Sequence, residues 1–212
     1  MEEGATKMHA SRNIEGVHAE LLSDMVSVQT DLKFTFETLS LLFEEVENTS
    51  EHDWTLTHKA LWNSALISFF KCFNSTKGRR YKLNRDLFKK SNEGSPEFFD
   101  IMKDLRDKHI AHSENGLDVT KIGLACDFQS GEILGLTSLS VRRDTEKPEN
   151  IHTFGALTKF ALDKVGIDID STQELILNWA RKQDIKEIES WNNSRYIAED
   201  AITAITSDRK RG

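Results

Sequence analysis

An arginine and a histidine a few residues apart can do phosphate chemistry without a metal. The guanidinium is a permanent, forked cation that fits phosphate oxygens, and the imidazole moves protons near neutral pH. In this chain of 212 residues the pair occurs in Arg106-Asp107-Lys108-His109-Ile110-Ala111-His112. Phosphoryl transfer at such a site needs a group to take a proton from the nucleophile, a cation to stabilise the added charge at phosphorus and a group to protonate the leaving oxygen. His112 is the natural acid and base and Arg106 the charge stabiliser. Asp107 would orient an arginine, and His109 would supply a second proton carrier or shape the pocket.

These residues need an element to position them, and the sequence writes one in. Ser95 is a good N-cap, Pro96 sits where a missing N–H does no harm, Glu97 favours the first turn, and Asn115-Gly116 offer a left-handed exit. The stretch 95–116 therefore reads as one helix of about five turns. At ~100° per residue, Phe98, Phe99, Met102, Leu105, Arg106, His109 and His112 share an arc of roughly 140°, with Asp100, Lys103, Asp104, Asp107 and Lys108 on the other side. Arg106 and His112 lie about 120° apart on an ideal helix, an offset that arginine's length and a loosened last turn can close.

The phrase Leu105 to Ser113, LRDKHIAHS, resembles the HEPN superfamily, and its abortive-infection branch in particular. The resemblance covers about residues 56–115. It implies an antiparallel helical bundle and a metal-independent endoribonuclease with no cofactor, in which the motif's arginine and histidine form the site. It further implies a homodimer with two motif copies face to face, 2′,3′-cyclic phosphate and 5′-OH products, and RNA, tRNA among the candidates, as substrate. A toxin or antiviral-defence role, with an antitoxin or sensor subunit as a further partner, follows from the resemblance alone.

Rival chemistries are open to the same residues. His109 and His112, at i and i+3 with Glu114 nearby, could ligate an ion, but no carboxylate-histidine repeat recurs on another helix, so no metal is expected. Ser113 beside His112 is poorly placed as a nucleophile, because adjacent helix residues point apart. The structural alternative is a buried polar network of Arg106, His109 and His112 with Glu37 or Glu44. That would suit a noncatalytic HEPN-like dimerisation or RNA-binding module that regulates a defence or toxin assembly.

Just before the motif, residues 77–90 hold seven basic residues, Lys77, Arg79, Arg80, Lys82, Arg85, Lys89 and Lys90, against one acid, Asp86. With Tyr81 and Phe88 among them, they have the composition of a phosphate-tracking, base-stacking surface. The alternative is a solvated connection whose charges offset acid-rich helices. The net charge of −7 argues against a general nucleic-acid coat and leaves room only for a local basic site.

Hydrophobic residues make up 38% of the chain and charged ones 30%, and no apolar run approaches the ~18 residues of a membrane span, so a globular, cytoplasmic protein is expected. The start lacks a signal peptide's apolar centre. Cys72 and Cys126 are too few for a disulfide framework and read as core thiols.

The expected architecture is mainly α. Residues 1–12 form a loose N-terminus, 13–191 a helical domain, and 192–212 a C-terminal extension. Apolar residues from Ile14 to Val46, spaced three and four apart, predict one helix of about 33 residues, with Val26, Phe34 and Leu41 among those widening its stripe. A second helix, 56–73, carries Trp62, Phe69, Phe70 and Phe73 at core spacing, and His58 near its apolar face reads as structural. Alternation at Ile122, Leu124, Cys126 and Phe128 predicts a β-hairpin over about 117–143, turning at 129–132. Two strands alone are marginal, so the hairpin should lie on the bundle or meet a second hairpin across a subunit boundary. Pro148 marks the return to helix. A fourth helix is expected to stop at Gly166, and Ser171 with Glu174 is expected to cap a fifth whose charged second half, 181–189, projects outward.

Overall fold

The computed structural model describes residues 12–47, 54–74, 79–90, 96–110, 118–142 and 146–192, with the backbone only at Lys90, His109, Ile110, Asp118, Val119, Val141 and Arg142. The described chain is mainly helical with one two-stranded sheet. Lys77 and His112, the rest of the expected N-terminus (1–11) and residues 193–212 lie outside the described residues. Arg12 donates to the Trp191 carbonyl at 3.2 Å and the Asn13 N–H to Asn192 at 2.8 Å, so the first and last described residues meet.

Helix α1 runs Val17–Val46, and its three-and-four spacing buries Met25, Val28, Leu32, Leu39, Leu42 and Val46. Val26, Phe34 and Leu41 do not join that stripe; each is more than 40% exposed. Helix α2, Leu56–Lys71, opens on a capping box in which Thr55 Oγ1 accepts from the His58 N–H and His58 Nδ1 accepts from the Thr55 N–H, both at 3.2 Å. His58 Nε2 reaches Glu45 at 3.1 Å, near the end of α1, whereas Lys71, at the end of α2, pairs with Asp31 at 2.9 Å. The two helices are therefore antiparallel.

Helix α4, Pro148–Ala180, also runs antiparallel to α1, with His152 near Phe43 and the Thr172 hydroxyl 3.6 Å from the Met25 sulfur. It is one helix of 33 residues, not two. Its buried residues Ile151, Phe154, Leu157, Ala161, Val165, Ile169, Thr172 and Ile176 continue one stripe straight past Gly166, and that burial outweighs glycine's cost of ~1 kcal/mol. Ser171 does not cap a new helix; its hydroxyl donates back to the Ile167 carbonyl at 2.9 Å. The charged end becomes α5, Ile185–Ser190, capped by Asp184 and with no buried residue.

The predicted hairpin is present as β1, Asp118–Cys126, paired antiparallel with β2, Ile133–Arg142. Asp127 makes the turn, accepting from the Gln129 and Ser130 N–H groups at 2.9 and 2.7 Å, and Gly131 takes φ +72°. Cys72 is buried as expected, but Cys126 is exposed on the hairpin and is not a core thiol. No helix among the described residues is long and apolar enough to cross a membrane.

Candidate functional site

The helix carrying the motif, α3, spans Pro96–Leu105 and is set by an aromatic cluster. Phe99 is 3% exposed, its ring centroid 4.9 Å from Phe73, 5.2 Å from Phe70 and 5.4 Å from Phe88. Phe69 and Phe70 of α2 and Phe154 of α4 complete the cluster, so these aromatics are core and not a stacking platform. Met102 is buried beside them, and Phe98 and Leu105 are half-buried. These contacts fix the rotation of α3. Arg106, seven residues after Phe99, starts two turns further along nearly the same side.

The expected five-turn α-helix does not continue beyond Leu105. Residues Arg106–Ile110 form a single π-helical turn against α2, with i→i+5 bonding in place of i→i+4. The faces worked out at ~100° per residue hold up to Leu105, and from Arg106 to Ile110 the π-turn changes the period. His109 lies on this turn by its backbone; its side chain, and all of His112, fall outside the described residues.

Arg106 is half-buried, and its Nη1 pairs with the Asp107 carboxylate, which also accepts from Lys103 Nζ at 2.9 Å. Arg106 does not meet Glu37 or Glu44; among the described residues its partner is Asp107. Partial burial pushes the Asp107 carboxyl up, but the hydrogen bonds from Lys103 and Arg106 outweigh it and hold the group below the usual carboxylate range. Asp107 is therefore ionised at neutral pH and carries no proton there. It can aim a guanidinium, and proton transfer is left to an imidazole.

The basic stretch is arranged differently from a phosphate-tracking surface. Arg79 donates to the Lys71 carbonyl at 3.2 Å and to Ser27 at 3.3 Å, and lies 3.5 Å from Asp31. Arg80 pairs with Glu20, and its N–H donates at 2.6 Å to Asp24, a carboxylate only 1% exposed on α1. Arg85 grips Asp100 of α3 with two nitrogens, Nε at 2.7 Å, which lowers the Asp100 carboxyl. Lys89 pairs with Asp86 at 2.8 Å. Neither expected stacking ring is available: Phe88 is fully buried, and the half-buried Tyr81 donates its hydroxyl to Asp168 at 2.7 Å. Burial and that hydrogen bond push the Tyr81 phenol well above its ordinary value. Lys82 is exposed at the rim of a groove of about 580 Å³ between this segment and α4, lined by Leu87, Phe160, Ile167 and Asp168.

Glu20, Asp24 and Asp31 were not among the sequence candidates. Their spacing of four and seven along α1 puts them on one edge of that helix, a signal complementary to the basic stretch. Among the described residues, no three His, Cys, Asp or Glu side chains gather as a metal site would require. Set against known proteins, the chain matches no family model, and no curated protein or solved structure is significantly similar to it.

Proposed function

We propose that this chain is a metal-independent endoribonuclease of HEPN type, acting as a homodimer and serving as a toxin or antiviral-defence effector. The observation that carries the reading is the π-turn at Arg106–Ile110. Such turns cost helix geometry and are found disproportionately at functional sites. This one begins at the arginine singled out by the sequence and holds it half-buried by a neighbouring carboxylate instead of a core partner.

In this reading one guanidinium nitrogen is held by Asp107, leaving further N–H donors for phosphate oxygens. His112 removes the 2′-OH proton, and an imidazole from the second copy, or His109, protonates the 5′ oxygen as the P–O bond breaks. The freed 2′ oxygen closes the 2′,3′-cyclic phosphate. The test is incubation of the purified chain with total cellular RNA in excess EDTA. Fragments ending in cyclic phosphate, lost in Arg106→Ala, support the reading. Intact RNA, also with a co-encoded sensor subunit supplied, overturns it.

A second reading is a noncatalytic HEPN-like dimerisation or RNA-binding module, and one specific observation favours its dimerisation form. Arg79, Arg80, Arg85 and Lys89 are paired with the chain's own carboxylates, which weakens the case for a surface that follows an RNA backbone.

A further inference from the structure

The β-hairpin is unlike the rest of the fold: nearly all its described side chains face solvent, and its two sides differ. The register pairs Leu124 with Leu136, Ile122 with Ser138 and Cys126 with Ile133, and the bulge at Ala125/Cys126 leaves Leu134 on the same side. Ile122, Leu124, Ile133, Leu134 and Leu136 are therefore neighbours on one face, exposed by 67%, 60%, 63%, 66% and 77%. The opposite face carries Lys121, Gly123, Ala125, Thr137 and, among its described side chains, one large apolar residue, Leu139. Two strands with an uncovered apolar face and two open edges are not independently stable, and they invite association.

We propose that this face is a self-association surface, on which the hairpin of a second copy packs across a two-fold axis. Three observations point to a second copy and not to a partner of other chemistry. Among its described side chains the face carries no charge, so these repel neither themselves nor their image, whereas the whole chain is at −7. It is self-complementary in kind, with branched apolar residues to interdigitate and serines 138 and 140 at its rim, as an isologous contact needs. Its size is also sufficient: at roughly 110 Å² exposed per residue, five residues on each of two copies bury on the order of 1,100 Å², about the threshold of a specific interface.

The hairpin also starts eight residues after the π-turn ends, so Asp118 lies within about 28 Å of Ile110 on any path. Packing two hairpins about an axis therefore keeps each motif segment within that reach of its own hairpin. The interface itself stands or falls independently of the RNase reading, because its test reads mass and not cleavage.

The experiment is sedimentation equilibrium of the full chain over 1–100 µM in reductant, for wild type, Leu124→Lys/Leu136→Lys, and Thr137→Lys on the opposite face. Wild type and Thr137→Lys are expected to be dimers, and the double variant to dissociate at least ~100-fold more readily, since it buries two unpaired charges per copy. Helical circular dichroism should be unchanged in all three. Amide exchange of wild-type residues 119–136 gives a reading free of variants and should slow as concentration rises. A monomeric wild type, a double variant that stays dimeric, or hairpin exchange independent of concentration would each overturn the proposal.

Discussion

Replacing Phe99 by alanine tests whether the aromatic cluster is what holds the motif in place. The ring is 3% exposed and packs within 5.5 Å, centroid to centroid, of Phe73, Phe70 and Phe88. Removing a buried phenyl costs about 3–5 kcal/mol, of which each well-formed ring contact contributes about 0.5–1.5 beyond its area. The loss need not be global. Helix α3 has ten residues, too few to persist without its packed face. Phe99→Ala should therefore lower urea-unfolding stability by about 3 kcal/mol or more, or release 96–110 locally while α1, α2 and α4 stay folded. Urea titration followed by circular dichroism, combined with amide exchange resolved to 96–110, separates the two, and under the proposed function local release of 96–110 should abolish RNA cleavage. A loss below about 1 kcal/mol with unchanged protection of 96–110 would refute the reasoning, because the ring would then not be packed as described.

Three smaller perturbations follow from the same structure. Asp24→Ala removes a carboxylate only 1% exposed and leaves the part-buried Arg80 N–H without its 2.6 Å acceptor, and should cost about 1–3 kcal/mol by chemical denaturation. Gly166→Ala should stabilise the protein by about 0.5–1 kcal/mol, since nothing lies within 4 Å of an added Cβ and the helix is continuous there; destabilisation would mean the helix breaks at that point. Asp107 has its pKa lowered on folding, so its contribution is fully present above the unfolded value near pH 4 and is lost as pH falls through the depressed folded value. The gap between wild type and Asp107→Asn, at most about 1 kcal/mol for so accessible a group, should be constant from pH 7 to 5 and should close as pH falls through the depressed folded value. A gap that widens on acidification would contradict the ion pair.

Much of the scaffold was legible because burial imposes a period. The run from Ile14 to Val46, which the structure realises from Val17, the aromatic spacing of α2, the alternation at Ile122 and Leu124 and the restart at Pro148 each mark an element that the structure contains. Gly166 and Ser171 misled because local signals were weighed above an unbroken buried stripe, which in α4 is the stronger influence. The π-turn had no residue signature, since a change of bonding at Arg106 alters the period without altering composition. The basic stretch was visible, but its partners were not: Arg80 meets Glu20 and Asp24, and Arg79 meets Asp31, some fifty residues earlier in the chain. Alternation identifies a strand's face without saying whether anything covers it, so it does not reveal that Cys126 is exposed.

The proposed function requires Arg106 and His112 to act on RNA and not to hold the fold together. The most direct measurement is cleavage of total cellular RNA in excess EDTA by wild type, Arg106→Ala and His112→Ala, each matched with its own urea-unfolding midpoint and sedimentation mass. The account predicts cyclic-phosphate ends from wild type, and loss of cleavage by at least ~100-fold in both variants with midpoints and mass unchanged. Unfolding or dissociation of Arg106→Ala, together with a wild type that leaves RNA intact, would contradict it and make the motif a structural network.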